Sequence, residues 1–265
     1  VASLLVLWDV DYTLADTDGV GRHLYQVAFT EMFGGQLPRP GSMAGRTDRA
    51  IALEVLTLAG VPDPAGQVRA FEALLAAHAP EMADLARARG RALPGAARAM
   101  AALAGLSGAG GGGARGGGTG DSGAEAGAGG TGDRQGRFCL VQSLLTGNIR
   151  PLAEVKLGAL GLTDHLDLAV GAYGDASEIR AELVHLARNN AAVAYGRDFA
   201  GQATVLVGDT PRDVEAALLT GARAVGVATG SYGVAELAEA GAHAVLADLA
   251  DTDRAVAAIL GTLSP

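Results

Sequence analysis

The chain is short of aromatic residues, basic side chains and cysteine, and each shortage narrows what it can be. Only 4% of its 265 residues are aromatic, so Ala, Leu and Val must supply most of a core that 49% hydrophobic residues make possible. Lys and Arg number 20 against 29 Asp and Glu, a formal net charge of −9. That balance argues against nonspecific nucleic-acid binding, which needs a basic footprint. Cys139 is the single cysteine, so an intramolecular disulfide is excluded. Within "FCLVQSLL" it reads as a small buried side chain rather than a reactive thiol. No apolar run approaches the length of a bilayer span. The N-terminal run is short, lacks a basic flank and leads into acidic residues, unlike a cleaved signal. The expectation is a soluble, cytoplasmic protein of one large domain or two smaller ones, without membrane or nucleic-acid partners.

What the chain does contain is a series of short apolar runs: "SLLVLW", "FCLVQSLL", "LDLAVGA", "TVLVG", "AVGVAT" and "HAVLA". They lack the polar alternation of half-exposed strands, as expected of parallel strands covered on both faces. Helix-like stretches separate the later runs, over 151–160, 178–195, 211–220 and 234–240. Strand alternating with helix predicts an α/β fold, a Rossmann-like doubly wound parallel sheet. Residues 15–92 differ. They are rich in helix formers, and "HLYQVAFTEMF" and "VRAFEALLAAHAPEMADLARA" read as amphipathic helices. An inserted α-helical cap domain over 15–92 is expected, with 1–14 and 93–265 forming the core. Half of the residues in 107–136 are glycine and none is a large hydrophobe, so this insert reads as a flexible loop remote from any site. Its Gly108, Gly110 and Gly113 match a dinucleotide-binding spacing by composition alone, with no strand before them or helix after.

Three of the apolar runs end in polar motifs: "DVDYT" (Asp9 to Thr13), Thr146-Gly147-Asn148, and "GDTPRD" (Gly208 to Asp213). In a parallel sheet all three converge at the C-terminal edge, where open α/β sheets bind ligands. Residues two apart in an extended segment face one side, so Asp9 and Asp11 share a pocket. Asp209 and Asp213 bring the carboxylates there to four, a hard oxygen set suited to Mg²⁺. Each motif has a plainer reading. Asp11 and Thr13 make a polar turn, Asn148 caps the helix before Pro151, and Thr210 caps a helix with Pro211 first and Asp213 at the third position. The three together in this order favour the site.

These motifs resemble those of the haloacid dehalogenase-like superfamily of phosphotransferases, and the helical segment directly after the first motif resembles its phosphoglycolate phosphatase-like branch. The resemblance implies Mg²⁺-dependent phosphoryl transfer through an aspartyl-phosphate. Asp9 would then be the nucleophile and Asp11 the general acid and base. Asp9, the Asp11 carbonyl and Asp209 would hold Mg²⁺, with Asp213 steadying it. Thr13, Thr146, Gly147 and Asn148 would bind the phosphoryl group. Asp11 argues against dehalogenation, which displaces halide without a general acid. The branch also needs a cation at the phosphoryl group. Arg180, at a helix start, is favoured over Lys156, which reads as a solvated position inside a helix. Arg46 in "AGRTD" would meet a carboxylate or second phosphate of the substrate.

Tyr12 stands where the branch commonly has glycine, and either narrows the pocket or points away. His23 near the cap's start reads as a surface or packing residue, and His78, His165, His185 and His243 show no ligand spacing. The partner expected is a small phosphorylated metabolite, with the chain a monomer or homodimer. A sugar-phosphate mutase, or a binding protein that keeps the fold without turnover, stays open.

Overall fold

Parallel strands sandwiched between helices organise the chain, and their alternating side chains show why. The computed structural model describes residues 3–107 and 138–262. Except for Ser107, the glycine-rich run over 107–136 lies outside them. In chain order the elements begin with β1 (Ser3–Trp8), β2 (Ala15–Asp16), α1 (Val20–Phe33), α2 (Asp48–Leu58), α3 (Pro64–Ala77) and α4 (Ala79–Arg89). Then come β3 (Arg91–Ala92), α5 (Ala96–Ser107), β4 (Cys139–Leu144), α6 (Arg150–Ala159) and α7 (Arg180–Tyr195). The chain finishes with β5 (Thr204–Gly208), α8 (Pro211–Leu219), β6 (Arg223–Val227), α9 (Val234–Glu239), β7 (Ala244–Leu246) and α10 (Thr252–Leu260).

The main sheet has the order β4-β1-β5-β6-β7, with every pairing parallel. Leu4, Val6 and Trp8 of β1 face a cluster with α5, α6 and α10, whereas Leu5 and Leu7 face one with α7, α8 and α9. Burial on both faces is what makes these strands read as unbroken apolar runs. The order places β1 between β4 and β5, so the three motif-bearing strand ends are neighbours. Asp9 N–H donates to the Val207 carbonyl (2.9 Å) and Leu145 N–H to the Trp8 carbonyl (2.9 Å), carrying the register past the last residue of β1.

Helices α1 to α4 bury a third cluster, which also takes in Ile149 and Leu152 at the start of α6. They lie between β2 and β3, which pair antiparallel as Ala15 with Ala92 and Asp16 with Arg91. No described helix is long and apolar enough to cross a membrane.

Two expectations change. "LDLAVGA" is not a strand, since only Ala172 bridges Leu145. Val170 and Ala172 are buried in the core from a turn-rich segment at the sheet's β4 side. The single helix expected over 68–88 is two, because Pro80 lacks an N–H to continue α3 and instead sits in the first turn of α4.

Leu7 is fully buried two residues before Asp9. Leu7→Ala is expected to lower stability by about 2–5 kcal/mol, read as a lower midpoint in urea with an unchanged slope.

Candidate active site

The three strand ends and the α1–α2 side together line a cavity of about 350 Å³. Asp9, Asp11 and Asp209 line it, with Thr146, Gly147 and Asn148 from the loop after β4. Asp9 and Asp209 are buried, as is Asp213. One carboxylate oxygen from each of these three lies within 4.8 Å of the others.

The charges within this cluster are unevenly matched. Arg180 Nη2 lies 2.6 Å from Asp9 Oδ1 and 2.6 Å from Asp213 Oδ1. Asp213 Oδ2 closes a capping box at the start of α8, accepting from Thr210 Oγ1 (2.6 Å) and Thr210 N (3.1 Å). Asp213 is therefore both the helix cap of the plainer reading and a member of the acidic cluster. Asp209 has no hydrogen bond or ion pair among the described residues. Burial, then repulsion from Asp9 and Asp213, pushes its carboxyl up to about 9. Burial also raises Asp9 to about 7, against the pull of Arg180. An uncompensated buried carboxylate beside two others is a site for a cation. The all-oxygen donor set, with Asp213 Oδ1 accepting no aligned hydrogen bond, fits a hard divalent one.

Asp11 sits differently. Lys156 Nζ donates to both its oxygens (2.7 and 2.8 Å) and to Asn148 Oδ1 (2.6 Å), while Asn148 Nδ2 donates to Asp11 Oδ2 (2.7 Å). Burial opposes the charge on Asp11, but Lys156 and Asn148 overcome it and hold the carboxyl below its usual value. Lys156 is thus not the solvated residue expected. It is 2% exposed, because α6 turns Leu152, Ala153, Lys156 and Leu157 inward together. Arg180 also lines the cavity, but its guanidinium is taken up by Asp9 and Asp213.

The structure revises several other placements. Asn148 does not cap α6; Ile149 is the N-cap, without a side-chain bond of its own. Thr13 is fully buried and does not line the cavity. The N–H groups of Thr13, Leu14 and Ala15 converge on the Val10 carbonyl in a tight turn, and the Thr13 hydroxyl has no partner among the described residues. Arg46 lines the cavity, yet its guanidinium pairs with Glu54 and donates to the Ala50 carbonyl (3.2 Å). Tyr12 adopts φ 58°, the left-handed conformation that favours glycine, and its side chain stands at the cavity wall. Its carbonyl accepts from Thr229 Oγ1. His23 pairs with Glu81 (3.3 Å) and does not line the cavity.

Among the lining residues that escaped the sequence is Asp48. Asp48 is buried at the start of α2, and burial raises its carboxyl to about 6 against the bond from Ile149 N–H. After the N-cap Thr47, an aspartate reads as an ordinary first-turn residue favoured by the helix dipole, so nothing local marked it.

A family model described as HAD-hydrolase-like matches residues 181–252, a span that includes Asp209 and Asp213. No curated protein sequence matched the chain. Among solved structures, a hydrolase from Pseudomonas syringae is 19% identical with a TM-score of 0.58, covering 99% of this chain and 100% of its own. A protein described as a predicted phosphatase from Clostridium acetobutylicum is 16% identical, TM-score 0.61, covering 98% and 100%. CbbY from Rhodobacter sphaeroides, solved in complex with phosphate, is 18% identical, TM-score 0.55, covering 93% and 95%. At these identities the likeness is one of fold. The described residues share the fold of these proteins, and the HAD-hydrolase-like match lies within it, over 181–252.

Asp9 and Asp209 bind protons more tightly when folded than their ordinary value near 3.8 allows. Their contribution to stability is therefore fully present below about pH 4 and is lost as pH rises through 7 and 9. A divalent cation should offset that loss. Its addition is expected to raise the melting temperature more at pH 8.5 than at pH 5, measured by thermal unfolding with and without EDTA, and Asp209→Asn should flatten the difference.

Proposed function

We propose that this protein is a Mg²⁺-dependent phosphatase that hydrolyses a small phosphomonoester through an aspartyl-phosphate at Asp9. The observation that carries the reading is the convergence of Asp9, Asp11, Thr146 and Lys156 on one cavity, beside a cluster of three buried carboxylates whose donor set fits a hard divalent cation. Asp9 attacks phosphorus as the bond to the leaving oxygen breaks, and Asp11 gives that oxygen its proton. Water then attacks the aspartyl-phosphate, loses a proton to Asp11 and releases inorganic phosphate, returning Asp9 as a carboxylate.

Mg²⁺ held by Asp9, Asp209 and the Asp11 carbonyl, with Asp213 behind it, would supply charge neutralisation between nucleophile and phosphate. Thr146 and the N–H groups of Gly147 and Asn148 hold the phosphoryl oxygens. Lys156 is the phosphate-facing cation in this reading, and Arg180 is the counter-charge of Asp9 and Asp213. A phosphate dianion drawing on the Lys156 ammonium loosens its hold on Asp11, which must carry a proton to act as an acid. The helices α1 to α4 act as the cap over the leaving group. A mutase would need a proton relay from the cap, and His23, the histidine near the cap's start, lies outside the cavity and pairs with Glu81, which supports hydrolysis.

Phosphate release from an aryl phosphate and a panel of phosphorylated metabolites is expected with Mg²⁺ and not with EDTA. Asp9→Asn should abolish it, and Asp11→Asn should lower kcat by about 10²–10⁴. Release that persists in Asp9→Asn overturns the mechanism. Interconversion of sugar-phosphate isomers without net phosphate release would establish the mutase instead.

Separately, Lys156→Ala is expected to lower kcat by about 10²–10³. An effect confined to Arg180→Ala would restore Arg180 as the phosphate-facing cation.

A further inference from the structure

We propose that Asp48 is a positioning residue that couples the seating of helices α1 to α4 to the order of the phosphate-facing loop Thr146–Asn148. What the loop holds rests on the phosphatase reading; the coupling itself does not.

Asp48 grips this loop from both sides. Its N–H donates to the Gly147 carbonyl (2.6 Å), and its Oδ2 accepts from Ile149 N–H (2.8 Å). Asn148 lies between those two bonds. Tyr25 of α1 orients the carboxylate, its hydroxyl donating to Asp48 Oδ1 (2.8 Å) and the Asp48 carbonyl (3.0 Å). The neighbouring Arg49 N–H donates to the Gly174 carbonyl (3.2 Å). Helix and loop approach so closely that side chains are excluded. A Cβ on Gly147 would overlap the Arg46 carbonyl, and one on Gly174 would overlap the Gly147 carbonyl and stand 3.0 Å from Asp48 N.

The reason for the grip lies in α6. A helix leaves its first N–H groups without partners, and an acidic side chain at its third position commonly reaches back to the N-cap N–H. Here that position is Leu152 and the N-cap is Ile149, neither of which can accept. Asp48 supplies the missing carboxylate from another helix, where the α6 dipole also favours negative charge. Two turns along α6 is Lys156. Asn148 joins these parts, since its amide donates to Thr146 Oγ1 (2.9 Å) and Asp11 and accepts from Lys156. When the α1–α4 helices move off the core, the Gly147 carbonyl and Ile149 N–H lose their partner together. Thr146, Asn148 and Lys156 then lose the support that aims them.

The test uses the full chain and two readouts. Hydrogen exchange by mass spectrometry should show Asp48→Ala exchanging faster over 146–152, with β1 and β5 unchanged. In the same variant kcat on an aryl phosphate should fall about 10- to 100-fold, the weight of a lost charge-assisted bond. Its affinity for Mg²⁺ alone, by calorimetry, should stay at the wild-type value. Asp48→Asn keeps one acceptor and should recover part of both losses. Wild-type exchange over 146–152 in Asp48→Ala overturns the proposal. So does a fall in activity that merely tracks a fall in folded protein. If Asp48→Ala does not fold, Tyr25→Phe replaces it, with a smaller rise in exchange over the same residues expected and wild-type exchange again overturning the coupling. A wild type that releases no phosphate ends the phosphatase reading, and the exchange data alone then decide the coupling.

Discussion

Repulsion among buried carboxylates is the constraint to which the rest of this site answers. Asp9, Asp209 and Asp213 sit within a few ångströms of one another at the C-terminal edge of the sheet, where bulk water cannot screen them. Only Asp9 and Asp213 have a cationic partner, in Arg180. Asp209 has none among the described residues, and its carboxyl rises to about 9 in consequence. Such an arrangement is costly unless a ligand completes it. The parallel order that places β1 between β4 and β5 forces the cluster together, and the close-packed apolar layers on both faces hold it there.

The two cations paired with the site's aspartates, Lys156 and Arg180, enter from opposite faces of the sheet. Lys156 stands among residues of α6 that pack on the Trp8 side, with Ala153 and Leu157 in that cluster. Arg180 begins α7, whose Leu183 and Val184 pack on the Leu5 and Leu7 side. Each helix uses apolar burial to carry a charge inward, so the positive charges are fixed by the same packing that stabilises the fold. The pairing then divides the labour. Arg180 balances Asp9 and Asp213, while Lys156 balances Asp11 and reaches the loop after β4.

The α1–α4 helices are tied to this machinery through backbone as well as side chains. Asp48, Arg49 and the glycines at 147 and 174 meet at distances that only bare backbone permits. Ile149 and Leu152 of α6 join the apolar cluster of those helices. Helix α6 thus belongs to both packing units, with Lys156 at the seam. A change in how the helices sit is felt where the charged groups converge.

Much of this could be read from the residues in order. Unbroken apolar runs ending in Asp9, Thr146 and Asp209 are local patterns, and strand burial with parallel order follows from them. That Asp9 and Asp11 line one cavity was legible because residues two apart in an extended segment share a side, and Asp209 because it ends a neighbouring strand. The Thr210–Asp213 capping box was equally local, and tertiary packing added the contact with Arg180. What the sequence could not decide is everything that depends on which helix face turns inward. Lys156 looks solvated until α6 is packed, Arg46 looks free until Glu54 meets it, and Asp48 looks like a routine first-turn acid until Ile149 and Tyr25 approach. "LDLAVGA" has a strand's composition but makes only one bridge, since pairing depends on a neighbour as well as on propensity. Sequence by itself determined β1, β4 and β5 and the polar motifs at their ends, because apolar runs and strand-end chemistry are properties of adjacent residues. The tertiary structure alone decided how those charges are paired, because partners such as Asp11 and Lys156 are 145 positions apart and meet only when the sheet and its helices close together.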